Sequence, residues 1–212
     1  MLWLWMLACT EPTAPSTETG TVPVLCTGWG DPSTIEEAVD RFDDLPEPTI
    51  PCFVASLQRP ARVMAVASIT SAQPGSWWSP RFFVFGDDVV FSVVPEGVGA
   101  HLLEMGQWTV AGSRTRKAEL VFPFGEEGPD AFTHLVDGDG STCGVCHNYE
   151  EPEGPPGDFV SEAIEPQLGS RVFLDDVMEE TDACDPEVEP ERCAILRAVM
   201  GTGDVIDAEW PD

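Results

Sequence analysis

Basic residues are scarce in this sequence, and long apolar runs are missing from it. The 212 residues include 10 Lys and Arg against 38 Asp and Glu, which gives a formal net charge of −28. Because a protein surface of this charge repels phosphate backbones, we expect no nucleic-acid partner. No run approaches the roughly 18 apolar residues that a membrane-spanning helix needs, which excludes a polytopic membrane protein. No glycine-rich phosphate-binding loop is present either.

Apolar residues are abundant enough for a packed core, since they make up 42% of the chain. The charge is unevenly distributed. Residues 59–124 carry six basic and five acidic side chains, a net charge of +1. Residues 147–191, here called the acidic segment, carry fifteen acidic side chains and one arginine, a net charge of −14. A partner that docks on the acidic segment is therefore expected to be basic.

The N-terminal residues suggest a processing signal. Residues 1–9 are almost wholly apolar and end at Ala8-Cys9, and residues 10–23 are rich in Thr, Pro and Ser. A polar stretch of that composition is predicted to be a flexible tether. A short apolar segment that ends at a small residue and a cysteine, before such a tether, resembles a bacterial lipoprotein signal. The resemblance implies that Cys9 is lipidated and anchors the protein in the bacterial cell envelope, facing the periplasm or the cell surface. The alternative is an apolar end that packs on the domain.

Residues 24–124 are predicted to form a helix plus β domain. Ser33 and Glu36 have the spacing of a capping box, which predicts a helix within residues 31–49. Pro46 and Pro48 are predicted to end it. Short runs rich in Val, Ile and Phe then predict six strands. These are Ile50–Leu57, Arg62–Ile69, Arg81–Phe85, Val89–Val94, Gln107–Ala111 and Lys117–Phe124. The predicted fold class is α+β, with an antiparallel β sandwich or barrel.

Residues 125–212 are predicted to be an acidic and irregular segment with short helices. Candidate helices cover residues 130–136, 170–180 and 190–200. The last is the strongest, because Pro190 suits a first helical turn and Gly201 suits a C-terminal cap.

One motif in this segment carries specific chemistry. Residues 143–147 are Cys-Gly-Val-Cys-His, which resembles the attachment motif of c-type cytochromes. In that family the two thiols add to the vinyl groups of a haem, and the histidine Nε2 is the proximal iron ligand. The resemblance covers about residues 130–150. It implies a mono-haem electron-transfer or redox-sensing protein with covalent haem c held by Cys143, Cys146 and His147.

The sixth iron ligand is left open by the sequence. Met178, Met200, His101 and His134 are all conceivable, as is an open position on the iron. The implied partner is a basic periplasmic or membrane redox protein. No nucleophile–base arrangement can be argued from three histidines, so a non-enzymatic role is favoured.

Other chemistries compete for the same motif. Cys143 and Cys146 also resemble the Cys-x-x-Cys pair of periplasmic thiol–disulfide exchange proteins. With His147 they could ligate zinc, although no fourth ligand stands at a regular spacing. Both cysteines could instead be structural, and the protein would then be a non-catalytic, disulfide-stapled envelope lipoprotein without a cofactor.

The cysteine count supports export and two disulfides. Seven cysteines in 212 residues are unusual for a reducing cytosol. With Cys9 lipidated and the motif occupied, four cysteines remain, and they allow three pairings. We favour the local pairs, Cys26 with Cys52 and Cys184 with Cys193, as staples of the regions least able to build a core.

Overall fold

The computed structural model of the chain describes residues 24–68 and 75–212. Its main element is a large sheet in which antiparallel pairs dominate. The strands are β1 (Ala61–Val66), β2 (Arg81–Phe85), β3 (Val89–Val93), β4 (Leu102–Val110), β5 (Arg114–Val121), β6 (Val136–Asp137), β7 (Gly140–Ser141), β8 (Glu151–Pro152), β9 (Phe159–Glu162), β10 (Arg171–Val172) and β11 (Val205–Asp207). The α-helices are α1 (Ile35–Asp44), α2 (Ile50–Ser56), α3 (Leu174–Ala183) and α4 (Pro190–Met200). Single 3₁₀ turns cover Val24–Cys26, Thr133–Leu135, Thr142–Val145 and Leu168–Ser170.

The sheet has the strand order β10-β1-β2-β3-β4-β5-β9-β8, and β11 pairs in parallel with β1. A tight turn at residues 86–88 joins β2 to β3, where the Gly86 N–H donates to the Val89 carbonyl over 2.9 Å. β6 and β7 form a separate two-stranded hairpin. The α+β class with a mainly antiparallel sheet is thus confirmed. The described strands form no closed barrel, so the predicted barrel or sandwich is not confirmed.

Helix α1 begins one residue later than the capping box in the sequence suggests. The N-cap is Thr34, whose hydroxyl accepts a hydrogen bond from the Glu37 N–H at 3.1 Å. The Glu37 carboxylate in turn accepts from the Ser33 N–H at 2.7 Å. Thr34 and Glu37 thus take the places expected for Ser33 and Glu36, but the carboxylate binds the N–H of the residue before the N-cap and not that of the N-cap itself.

The predicted strand Ile50–Leu57 is wrong, because this segment is helix α2. Thr49 caps it by accepting a hydrogen bond from the Cys52 N–H, and Pro51 occupies the first turn, where no backbone donor is needed. The helix is buried on nearly every side. A short apolar run of this kind has no polar face, so its period cannot distinguish a buried helix from a buried strand.

The two faces of the sheet are covered differently. Alternate strand residues, among them Ala118 and Leu120, join side chains of α1, α2 and α4 in one large core. We call this side the helix face. Residues from both sides of position 124 contribute to it, since α4 packs on α2. Lys117 and Glu119 alternate with Ala118 and Leu120, so they point to the opposite side, here called the second face.

The second face is covered by the C-terminal tail and by the segment that contains the motif. Trp210 lies edge-on to Phe83, Phe85 and Trp108, with ring centroids 5.6 to 5.9 Å apart. Its indole N–H donates to the Gly112 carbonyl over 2.8 Å. The tail is fixed upstream by β11 and by the Ala208 N–H, which donates to Val63 O. The aromatic cluster thus borders the polar part of this face.

A buried ion pair joins β5 to the loop before β9. Asp158 is buried, and its carboxylate accepts two hydrogen bonds from the Arg116 guanidinium at 2.7 and 2.9 Å. Arg116 also binds the Glu36 carboxylate of α1 at 2.7 Å and lies over the Phe132 ring. The hydrogen bond from Arg116 lowers the pKa of Glu36. This bidentate contact holds β9 in register beside the motif.

The structure contains the two local disulfides favoured by the sequence. Cys26 pairs with Cys52 and so attaches the start of the described chain to α2. Cys184 pairs with Cys193 and joins the end of α3 to α4.

Candidate functional site

The cysteine–histidine motif lies at the second face, in a tight turn and not in the helix that is typical of the c-type cytochromes whose motif it resembles. The 3₁₀ turn Thr142–Val145 follows strand β7, and the Ser141 hydroxyl caps it by accepting from the Cys143 N–H at 3.1 Å. The Cys146 and His147 N–H groups both donate to the Cys143 carbonyl. The helix predicted for residues 130–136 is also a single 3₁₀ turn, Thr133–Leu135, followed by β6.

Glu150 organises the turn from inside. Its carboxylate accepts hydrogen bonds from the backbone N–H of Ser141, at 2.8 Å, and from the Ser141 hydroxyl. A Cβ atom at Gly144 would lie 2.8 Å from the Glu150 Oε2, and one at Gly140 would lie 2.6 Å from it. A side chain at Gly144 would therefore displace the Glu150 carboxylate from the turn.

The two motif cysteines are the only free thiols among the described residues. Cys143 is partly buried, whereas Cys146 is exposed. Burial raises the pKa of Cys143 to about 11. A thiol that stays protonated at neutral pH is a poor nucleophile, so the geometry disfavours thiol–disulfide exchange through Cys143.

His147 is held as a neutral imidazole with one nitrogen available. Its Nδ1 lies 2.7 Å from the Glu162 carbonyl oxygen. Because a carbonyl only accepts, Nδ1 carries the proton and Nε2 keeps its lone pair. Burial, and next the charge of Lys117, lower the pKa of His147 to about 4, so the imidazole is neutral at physiological pH. This is the protonation state and tautomer that a histidine needs in order to ligate a metal through Nε2.

Glu162 at the end of β9 fixes the histidine through several contacts. Its N–H donates to the Asn148 carbonyl over 3.0 Å, and its carboxylate accepts from the Asn148 amide at 3.2 Å. Its carbonyl accepts from Lys117 Nζ at 3.2 Å as well as from His147. Strand β9 pairs with β5, so the sheet itself positions the imidazole.

A row of polar side chains crosses the second face beside the motif. The Arg81 guanidinium donates to Ser92 Oγ at 2.6 Å and forms an ion pair with Glu104. Glu119, opposite Glu104 on the neighbouring strand, binds His134 with 3.2 Å between Oε1 and Nε2. Burial, and next the charge of Glu104, raise the pKa of Glu119.

This row is not evident from the sequence. Its members come from the four strands β2 to β5 and from the turn that contains His134, and each strand residue alone is an ordinary polar position. The only available signal was the alternation of polar and apolar residues along β5, which marks Lys117 and Glu119 as one side of a strand.

The conceivable sixth ligands are dispersed. Met200 is buried in the core of the helix face, and Met178 lies on α3 with part of its side chain exposed. His101 is exposed just before β4, whereas His134 is bound to Glu119. The contact with Glu119 occupies Nε2 of His134, so only its Nδ1 is left for a metal ion.

Zinc is not supported at the motif. Within residues 24–68 and 75–212, the one group of three side chains close enough to share a metal ion is Cys184, Glu189 and Cys193. Both of its cysteines are in a disulfide and offer no thiolate. Cys143, Cys146 and His147 do not converge on one point in this way.

The donor set fits covalent haem better than it fits a bare ion. Thioether formation needs free thiols, and both motif thiols are free. The proximal nitrogen must be unprotonated, and the Nδ1–H bond of His147 ensures this. Val145 and Tyr149 are about 80% exposed, which leaves apolar surface at the turn for a large ring to cover. Cavities of about 60 and 370 Å³ lie around Asp31 and around Glu96, and no residue of the motif lines either of them.

Cys9 and the tether 10–23 lie outside the described residues. None of the described helices has the length and apolar character required to cross a bilayer. Comparison of the chain with protein-family models, with curated proteins and with solved structures gave no significant match.

Proposed function

We propose that this protein is an exported, lipid-anchored, mono-haem c-type protein that transfers electrons or senses redox state. Cys143 and Cys146 would hold the haem through thioether bonds, and His147 would be the proximal ligand. The observation that carries the proposal is the hydrogen bond from His147 Nδ1 to the Glu162 carbonyl, which frees Nε2. The haem, when bound, supplies one-electron chemistry at its iron.

The chain's own residues have defined tasks in this proposal. Glu162 fixes the ring orientation and the tautomer of His147. Glu150 holds the turn so that the two thiols are presented together, one partly buried and one exposed. The two disulfides occupy the other four described cysteines and leave Cys143 and Cys146 as the free thiols to which a haem would attach.

Spectroscopy of protein matured in a host with haem-attachment machinery tests the proposal. The wild-type protein is expected to carry haem that survives denaturation and acid–acetone extraction, and Cys143→Ala/Cys146→Ala is expected to lose it completely. His101→Ala, which changes an exposed histidine outside the motif, is the matched control and should retain covalent haem. A colourless wild-type protein from a competent host contradicts the proposal and favours the cofactor-free envelope lipoprotein.

The lipid anchor is tested separately. Cys9 is the cysteine followed directly by the polar tether. Cys9→Ser should move the protein from the membrane fraction to the soluble periplasm, because a lipid chain contributes about 0.8 kcal/mol of membrane binding per buried CH₂ group. Thr10→Ser is a matched control that keeps the cysteine. Equal partitioning of Cys9→Ser and wild type would exclude lipidation at this position.

The acidic segment is proposed to face a basic redox partner in the periplasm or membrane. The segment begins at His147 and carries a net charge of −14, so a partner that approaches the motif meets a negative surface. Association should slow steeply with salt, since the screening length falls from about 10 Å at 0.1 M to about 3 Å at 1 M. Electron transfer to periplasmic and membrane extracts, measured across a salt series, checks this. A rate that does not change with salt leaves the acidic segment with a role in solubility.

A further inference from the structure

Lys117 is the only lysine in the chain, and the fold places it beside the motif. It lies on β5 with its side chain partly buried on the second face. Its ammonium donates to the Thr115 hydroxyl and, over 3.2 Å, to the Glu162 carbonyl. That same carbonyl accepts the Nδ1–H of His147 at 2.7 Å. One oxygen atom thus connects a partly buried cation to the imidazole.

We propose that Lys117 is a positioning residue that raises the reduction potential of the haem held by His147. This inference rests on the proposed function. Two effects act in the same direction. A positive charge near the iron disfavours the ferric form, which carries one more positive charge than the ferrous form. The carbonyl that Lys117 shares is also a weaker acceptor for His147, so the imidazole gives less electron density to the iron.

The other charged side chains near His147 do not supply the same unpaired positive charge as Lys117. Arg81 also lies close enough to His147 to act on it electrostatically, but it forms an ion pair with Glu104. Glu119 contributes negative charge and is bound to His134. The hydrogen bonds of Lys117, in contrast, go to a hydroxyl and a carbonyl, and the negative charge that acts on it, Glu104, does so without an ion pair and is shared with Arg81. The chain has a net charge of −28, so a positive charge beside the motif is an exception to its overall charge.

Redox titration of the haem-loaded protein tests the inference. Lys117→Gln removes the charge and keeps a polar side chain, while Lys117→Arg keeps the charge. Arg62→Gln removes one positive charge from an exposed position on β1 and is the matched control. At a fixed solution potential we expect the ratio of ferric to ferrous haem to rise about tenfold in Lys117→Gln, equivalent to a fall of about 59 mV for one electron. Lys117→Arg and Arg62→Gln should stay within about twofold of wild type.

The outcomes separate the two proposals. Wild-type protein without covalent haem refutes the proposed function. Haem-loaded Lys117→Gln with the same potential as Arg62→Gln refutes the role of Lys117 alone.

A second measurement needs no substitution and applies if Lys117→Gln fails to fold. Reductive methylation with ¹³C-formaldehyde labels the single ε-amine and keeps its charge. The labelled methyl signal should be shifted or broadened in the ferric protein and recover on reduction. A signal identical in both oxidation states overturns the inference.

Discussion

Phe53→Ala is expected to lower the free energy of unfolding by about 3–5 kcal/mol. Phe53 is fully buried in α2, at the centre of the core of the helix face. Its ring stacks on Phe42 with 4.8 Å between centroids and meets Phe91 edge-on at 5.1 Å. The substitution removes both ring contacts and leaves a cavity between α1, α2 and β3. Since the free energy of unfolding of a domain is about 5–15 kcal/mol, the substitution removes a large fraction of it.

Urea unfolding under oxidising conditions, with both disulfides intact, measures this effect. Phe173→Ala is the matched control, because Phe173 is 75% exposed and the same atoms are removed. Its effect should stay within about 0.5 kcal/mol. Equal unfolding midpoints for the two variants would show that α2 does not pack on the sheet as the structure has it.

The core around Phe53 also shows where sequence reasoning is sufficient. Strands β2 and β3 and helix α4 could be predicted closely, because each has local punctuation. The turn at residues 86–88 separates the two strands, and Pro190 and Gly201 bound the helix. Helix α2 could not be predicted, because a segment buried on nearly every side has neither of the two diagnostic periods.

The candidate site also contains some residues that the sequence identifies and others that only the fold brings together. The three candidate haem-binding residues, Cys143, Cys146 and His147, lie within five positions of the sequence, so their spacing alone singles them out. Glu162 and Lys117 could not. They lie beside His147 only because β9 pairs with β5. The contact between Arg116 and Asp158 supports that pairing. The residue types of the motif can be read from the sequence, but the contacts that orient His147 join residues far apart in the chain.

The same buried imidazole makes the haem-free protein sensitive to acid. The folded-state pKa of His147 is about 4, whereas an unfolded histidine titrates near its ordinary value of about 6.5. Between these values the unfolded chain binds a proton that the folded protein does not. The free energy of unfolding therefore falls as the pH is lowered from about 6.5 to about 4, by up to about 3 kcal/mol from this residue. Below pH 4 both states are protonated, and the contribution of His147 no longer changes.

The physical cause is the environment of the ring. Burial acts most strongly, and the positive charges of Lys117 and Arg81 act in the same direction. The hydrogen bond to Glu162 and the charge of its carboxylate oppose them but do not compensate. Protonated His147 would thus place a third positive charge in a partly dry site.

Urea unfolding of haem-free protein at a series of pH values measures this contribution. His147→Gln is the informative variant, since its amide can still donate to the Glu162 carbonyl but does not titrate between pH 4 and 7. The carboxylates titrate in both proteins, so the difference in stability between wild type and His147→Gln isolates the histidine. That difference should be constant above about pH 7 and should move against the wild type as the pH falls to 4. A difference that stays constant over the whole range would mean that His147 titrates alike in the folded and the unfolded protein, which contradicts the buried and oriented imidazole on which the haem proposal rests.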